Sequence, residues 1–208
     1  HAELVAACAV DGLTFLRWVK TRDEADPDTP VKPFPLHLPC VSEFWRVLER
    51  EQCVVCAKSR QMRVSWILCA FCCWYARSKP NQAIYWQTQG WDDACEKISL
   101  AVGGGGGYMG RCQFIEAHLP AWLQVPVKAT EGKLSYPNGS MIQALAGGAD
   151  QVRGLVASII VEDEFARQEE ARGVYATVSP LIQGQCKLFI VSTPNGENTF
   201  SKIYHGTL

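Results

Sequence analysis

An excess of charge of either sign is missing from this chain: 20 Lys and Arg stand against 21 Asp and Glu in 208 residues, for a formal net charge of −1. Without a global positive field, any contact with a polyanion such as DNA has to come from a local patch or from several copies acting together. Charge therefore neither supports nor excludes nucleic acid. Long hydrophobic runs are also missing. The longest, Ile67 to Ala76, falls well short of the roughly 18 residues needed to span a bilayer. No membrane role is expected, and the chain should be soluble. No signal peptide is read in these residues, and the ten cysteines do not form the tight framework of a small secreted protein, so a reducing compartment is the expected setting. The four histidines are scattered, with none in a ligand-like pair. The sequence starts at His1 without an initiator methionine and stops at Leu208, which reads as a fragment of something larger.

What is present suits one packed α/β domain preceded by a lead-in. Glu3 to Val19 carries apolar residues at roughly helical spacing, and Asp23 to Pro39 is rich in Asp, Pro and Thr, as a linker is. Residues 1–39 are thus a helical lead-in and linker, and residues 40–208 the main domain. Ser42 is a candidate cap for a helix to Arg50. Strands are expected at Cys53 to Ala57, Ala83 to Thr88, Leu155 to Val161 and Lys187 to Val191, with helices at Ser65 to Arg77, Asp92 to Val102 and Arg167 to Arg172. Pro137-Asn138-Gly139 reads as the turn of a hairpin between Lys133–Tyr136 and Ser140–Leu145. Continuous apolar strands alternating with helices point to a mainly parallel sheet covered on both faces, with functional loops at the carboxyl ends of its strands. The run Gly103 to Gly107 reads as a surface loop and is given no chemistry.

Two segments carry chemistry. Ala57-Lys58-Ser59-Arg60-Gln61-Met62-Arg63-Val64-Ser65 lies between a strand and a helix, the place of a phosphate loop. The ordinary loop, G-x-x-x-x-G-K-[ST], uses glycines so that backbone amides can approach phosphates, a lysine to neutralise them and a hydroxyl to bind magnesium. Here Ser65 keeps the hydroxyl, but Arg63 and Val64 stand where glycine and lysine are usual, and Lys58 stands at the first glycine position. Arg63 supplies charge without glycine's open backbone. The second segment, Ile159-Ile160-Val161-Glu162-Asp163-Glu164, is an apolar strand ending in carboxylates, a pattern that orients magnesium and polarises an attacking water. Asp163 and Glu164 fit these roles, although a shifted register would assign them to Glu162 and Asp163. Ser192-Thr193-Pro194 ends another apolar strand, where a hydroxyl pair could sense a terminal phosphate.

Cys53-x2-Cys56 and Cys69-x2-Cys72 have nearly the spacing of a four-cysteine zinc site. On a strand, however, Cys53 and Cys56 point to opposite faces, while Cys69, Cys72 and Cys73 share one helix face, so small buried cysteines packing helix on sheet is the reading adopted.

Taken in order, Lys58-Ser59-Arg60-Gln61-Met62 through Ser65, Arg153-Gly154, Asp163-Glu164 and Ser192-Thr193-Pro194-Asn195-Gly196 resemble the ATPase domain of the large terminase subunit of tailed bacteriophages, over about residues 40 to 205. The resemblance implies an ASCE-type P-loop NTPase fold, with ATP as substrate and Mg2+ as cofactor. It also implies a motor that drives double-stranded DNA into a procapsid as a ring of subunits, together with the portal protein and the small terminase subunit, in the host cytoplasm and transiently at the portal. Carried over by position, Lys58 contacts the β/γ-phosphates, with Ser59, Gln61, Met62, Arg63 and Val64 completing the loop. Arg60 lies near the γ-phosphate, and Ser65 and Asp163 hold magnesium. Glu164 activates the hydrolytic water and Thr193 belongs to the coupling motif. The family also implies an arginine from a neighbouring subunit, for which Arg111 is the candidate and Arg77 the rival. The nuclease domain of the family has no counterpart in these residues, so this chain is not expected to cut DNA. Alternatives from the same residues are a degenerate P-loop module that assembles without hydrolysing, a zinc-ribbon protein, or a related ATPase such as a helicase.

Overall fold

The computed structural model describes residues 1–23, 26, 28–59, 62–101 and 109–208. Two short helices lead in, α1 (Ala2–Val10) and α2 (Gly12–Leu16). Asp11 separates them, its carboxylate accepting the amides of Leu13 and Thr14 as the cap of α2. A small antiparallel pair follows, β1 (Lys20–Arg22) and β2 (Val31–Pro33), and then α3 (Pro39–Arg50). This helix begins at Pro39, three residues before the expected cap. Pro39 brings a pre-set φ to the first turn, and the Ser42 hydroxyl instead donates to the Pro39 carbonyl.

The central sheet is built from β3 (Cys53–Ala57), β4 (Ala83–Gln87), β5 (Lys128–Thr130), β6 (Lys133–Ser135), β7 (Met141–Leu145), β8 (Ile159–Asp163) and β9 (Lys187–Ser192). Its order is β3-β9-β8-β4-β7-β6-β5. The first five strands run parallel, and β6 and β5 add an antiparallel meander through the expected turn, where Gly139 takes a φ of 84°. All of β8 is buried, as expected for a strand covered on both faces. It starts at Ile159, four residues later than the apolar run suggested, and the side chain of Val156 is 87% exposed.

Helices flank the sheet. One face packs against α4 (Val64–Ser78), α5 (Trp91–Ile98) and α6 (Arg111–His118), together with the lead-in: Phe15, Leu16, Val19, Trp45, Phe71 and Phe189 share a single core. The other face carries α7 (Ala171–Val178) and α8 (Thr199–Tyr204), with Phe165, Val174, Ile190 and Phe200 in its core. The helix after the acidic strand end therefore begins at Ala171, not Arg167; residues 165–167 form a single 3-10 turn. Nearly every side chain of α4 is buried, which its all-round apolar sequence requires. Among the described residues, no helix is long and apolar enough to cross a membrane.

Candidate functional site

The carboxyl ends of β3, β8 and β9 lie side by side and open into a cavity of about 890 Å³. Lys58 leaves β3 and its amide donates to the Ser192 carbonyl at 2.9 Å, which ties the start of the loop to the end of β9. Its ammonium reaches Glu164 Oε1 at 2.7 Å and Asp163 Oδ1 at 3.3 Å. The Ser65 hydroxyl, on the first turn of α4, donates to Asp163 Oδ2 at 2.9 Å, and Lys58 Nζ lies 3.5 Å from the same hydroxyl. Four residues from two distant segments of the chain thus form one hydrogen-bonded cluster. Desolvation works against the charge of Lys58, but Asp163 and Glu164 outweigh it and raise its pKa.

The register of β8 decides which acids face the cavity. Asp163 meets Ser65, whereas Glu162 turns to the opposite face and accepts from Gln168 Nε2 at 3.0 Å. Burial pushes the Glu162 carboxyl up to about 8, and the bond from Gln168 offsets only part of this. Gln87 pairs in register with Glu162 on the neighbouring strand. Among the described residues, Glu162 Oε1, Gln87 Oε1 and Gln168 Oε1 are buried without a hydrogen-bond donor, so a proton on Glu162 adds one donor where donors are short. A stability consequence follows with a definite sign. In the unfolded chain this acid loses its proton near pH 4.5, and in the folded chain near 8, so stability should fall by up to about 1.4 kcal/mol per pH unit across that window. Urea melts at pH 5.5, 7 and 8.5 should show this decline, and Glu162→Gln should flatten it; an unchanged slope in the variant would exclude Glu162 as its source.

Arg63, where glycine is usual, adopts the left-handed conformation at φ 56° and ψ 15° and occupies the cap position of α4. The backbone thus takes the shape for which glycine is normally selected, in spite of the side chain. The guanidinium is anchored by the lead-in: Nη1 donates to Thr21 Oγ1 at 2.9 Å, and Nη2 lies 3.6 Å from Asp23 Oδ2. The side chain of Arg63 does not cap α4, and among the described residues no other side chain bonds its first amides, which leaves them available to an anion. Arg63→Ala, which keeps the Cβ strain and loses these bonds, should cost about 1 kcal/mol more in urea unfolding than Arg63→Gly, which loses the same bonds but relieves the backbone. Equal stabilities would rule out backbone strain at this position.

Glu164 is also left-handed, at φ 49° and ψ 38°, and its amide donates to Asp163 Oδ1 at 3.0 Å. Such backbone outliers cluster at sites where the surroundings over-determine them. The Ser192 hydroxyl holds this turn by accepting the Ala166 amide at 3.0 Å, while Thr193 lines the cavity.

Ser59, Met62 and Val64 also line the cavity; Arg60 and Gln61 lie outside the described residues, as does the run Gly103 to Gly107. Arg111 opens α6 and faces the cavity of its own chain, its guanidinium 5.4 Å from the centre of the Trp66 ring. Arg77 is elsewhere, buried against Glu116, whose other oxygen accepts from the Tyr136 hydroxyl. Arg153 is on the surface, paired with Asp150. Sequence reasoning missed Arg22, Asp23, Trp66 and Lys97 in the lining. Cys53 is exposed on β3 while Cys69, Cys72 and Cys73 are buried in α4; among the described residues, no three of His, Cys, Asp or Glu are grouped to hold a metal ion.

A mostly parallel seven-stranded sheet lies between helix layers with this cluster at its carboxyl edge, the architecture expected of a P-loop fold of the ASCE type. No family model matches the sequence. Among solved structures, the large terminase ATPase domain of Thermus phage P74-26 superposes with a TM-score of 0.57 at 17% identity, over 77% of this chain and 67% of that one. The large terminase of bacteriophage HK97 superposes with a TM-score of 0.63 at 13% identity, over 94% of this chain and 40% of that one. At such identities the likeness is one of fold, and it is to the family that the motifs resemble.

Proposed function

We propose that this chain is the ATPase motor module of a large terminase subunit, which couples ATP hydrolysis to the movement of double-stranded DNA into a procapsid. The observation that carries the reading is the contact cluster of Lys58, Ser65, Asp163 and Glu164, at the strand ends of a fold shared with large terminase ATPase domains.

In this reading the uncapped amides at the start of α4 receive phosphate oxygens, and Lys58 exchanges its two carboxylate partners for the β/γ-phosphates. Ser65 Oγ and Asp163 Oδ2 are hard oxygen donors 2.9 Å apart, a set that suits magnesium. When bound there, magnesium would supply charge neutralisation on the phosphates. Release of Lys58 leaves Glu164 Oε1 free to take a proton from the attacking water as its oxygen bonds to the γ-phosphorus and the β–γ bridging oxygen departs with ADP. Arg60 would add charge near the γ-phosphate, and Thr193 would pass the loss of that phosphate to β9. The portal protein, the small subunit and a ring of copies are the partners this reading implies.

A second reading, an assembly module that does not turn over, is favoured by one observation: Lys58 is already held by both acids. Calorimetry with Mg-ATP, paired with a phosphate-release assay on this chain and on the longer subunit, separates the two. Binding with turnover in either supports the motor, and no binding in either favours the module.

A further inference from the structure

We infer that Lys97 and Arg111 form a second anion-binding wall of this cavity, contributed by α5 and α6 and directed at the phosphate end of the bound nucleotide. The inference rests on the nucleotide-binding reading and extends it to two residues outside the phosphate loop.

Charge in the lining is the first argument. Among the described residues, five basic side chains and three acidic ones face the cavity, so it favours an anion. The basic groups are not equivalent. Lys58 is committed to Asp163 and Glu164, and Arg63 to Thr21 and Asp23. Arg22 lies over the Phe114 ring. Lys97 and Arg111 make no ion pair among the described residues, yet both border the same space. Among the described residues neither is held by a carboxylate, so both are available to an entering anion.

Positioning is the second argument. Arg111 is held over Trp66, which orients the guanidinium plane without using its N–H donors. The backbone of Lys97 is tied to α4 as well: the Cys69 thiol approaches the Lys97 carbonyl at 3.5 Å. Trp66 and Cys69 follow Ser65 on α4, so the helix that begins at the phosphate loop also sets where both cations stand. A phosphate chain at the α4 amino terminus would therefore have Lys58 on the side of the sheet, with Lys97 and Arg111 supplied by α5 and α6.

The test uses sodium tripolyphosphate, a probe with no base or sugar, alongside Mg-ATP. Wild type should bind both. Lys97→Gln and Arg111→Gln should each weaken tripolyphosphate about tenfold or more, the loss expected of one charge-assisted contact. Lys97→Arg should restore most of the affinity, and Lys202→Gln at an exposed position of α8 should leave it unchanged. Thermal melts of the same variants check that they are folded. Wild-type affinity in folded Lys97→Gln and Arg111→Gln, or no tripolyphosphate binding by wild type, overturns the wall. If wild type binds tripolyphosphate through these residues but neither binds nor turns over Mg-ATP, the motor reading fails while the anion wall stands.

Discussion

Glu164→Gln should stop ATP turnover while leaving Mg-ATP bound. In the proposed mechanism the carboxylate at 164 accepts a proton from water, and general-base groups commonly contribute about 10²–10⁴-fold to rate. The amide cannot take that proton, but it is nearly isosteric and keeps the left-handed turn between Asp163 and Ala166. Binding should be retained or modestly improved. In the free protein Glu164 Oε1 holds the Lys58 ammonium at 2.7 Å, a contact that competes with a phosphate for the same cation. Removing the charge weakens that competition. Single-turnover phosphate release and calorimetry on the same preparation read the two effects separately. Hydrolysis at the wild-type rate in the variant would sink the general-base assignment. Loss of binding together with turnover would mean that Glu164 holds the site together instead of acting in the chemistry.

How much of this was legible before the fold depends on the range of the interactions involved. Cys53–Ala57 as a strand and Val64–Ser78 as a helix could be read almost residue by residue, because apolar runs bounded by polar loops express local structure directly. The parallel arrangement was legible for the same reason, from strands apolar on both faces. The choice between Glu162 and Asp163 was not. It turns on where β8 begins, and the largely apolar stretch from Leu155 is interrupted only by Ser158 while the pairing with β4 and β9 starts near Ile159. Arg63 looked like damage to a phosphate loop because sequence displays the side chain and hides the φ angle. The backbone there is left-handed all the same, and the groups that anchor the guanidinium, Thr21 and Asp23, are some forty residues earlier, in a stretch read as lead-in and linker. Helix α6 escaped notice since Arg-Cys-Gln-Phe-Ile-Glu-Ala-His has a weak apolar rhythm and follows the glycine run. Lys97 had no local signal at all. Its place on the cavity wall arises only when α5 packs against α4.

Lys58→Met should fail in two ways at once, and the pairing of failures is what identifies its role. Mg-ATP affinity should fall on the order of a hundredfold, since a charge-assisted phosphate contact is lost and the two facing carboxylates then repel the incoming anion. Stability should fall as well, even without nucleotide. The Asp163 side chain is 1% exposed, and without Lys58 its charge keeps only the Ser65 hydroxyl and the Glu164 amide as donors. Removing one partner of a buried pair typically costs about 3–5 kcal/mol, and the lower end applies here because Lys58 itself retains some contact with solvent. The diagnostic comparison is Lys58→Met with Asp163→Asn in one chain. Neutralising both ends removes the orphaned charge, so urea unfolding should recover at least half of the lost stability, with a coupling of about 2 kcal/mol between the two sites. Nucleotide binding should not recover, because the cation proposed to face the phosphates and the carboxylate proposed to hold magnesium are both missing. If the double variant were less stable than Lys58→Met alone, the ion pair would not be the source of the loss. If binding returned along with stability, Lys58 would serve the fold and some other group would hold the phosphates.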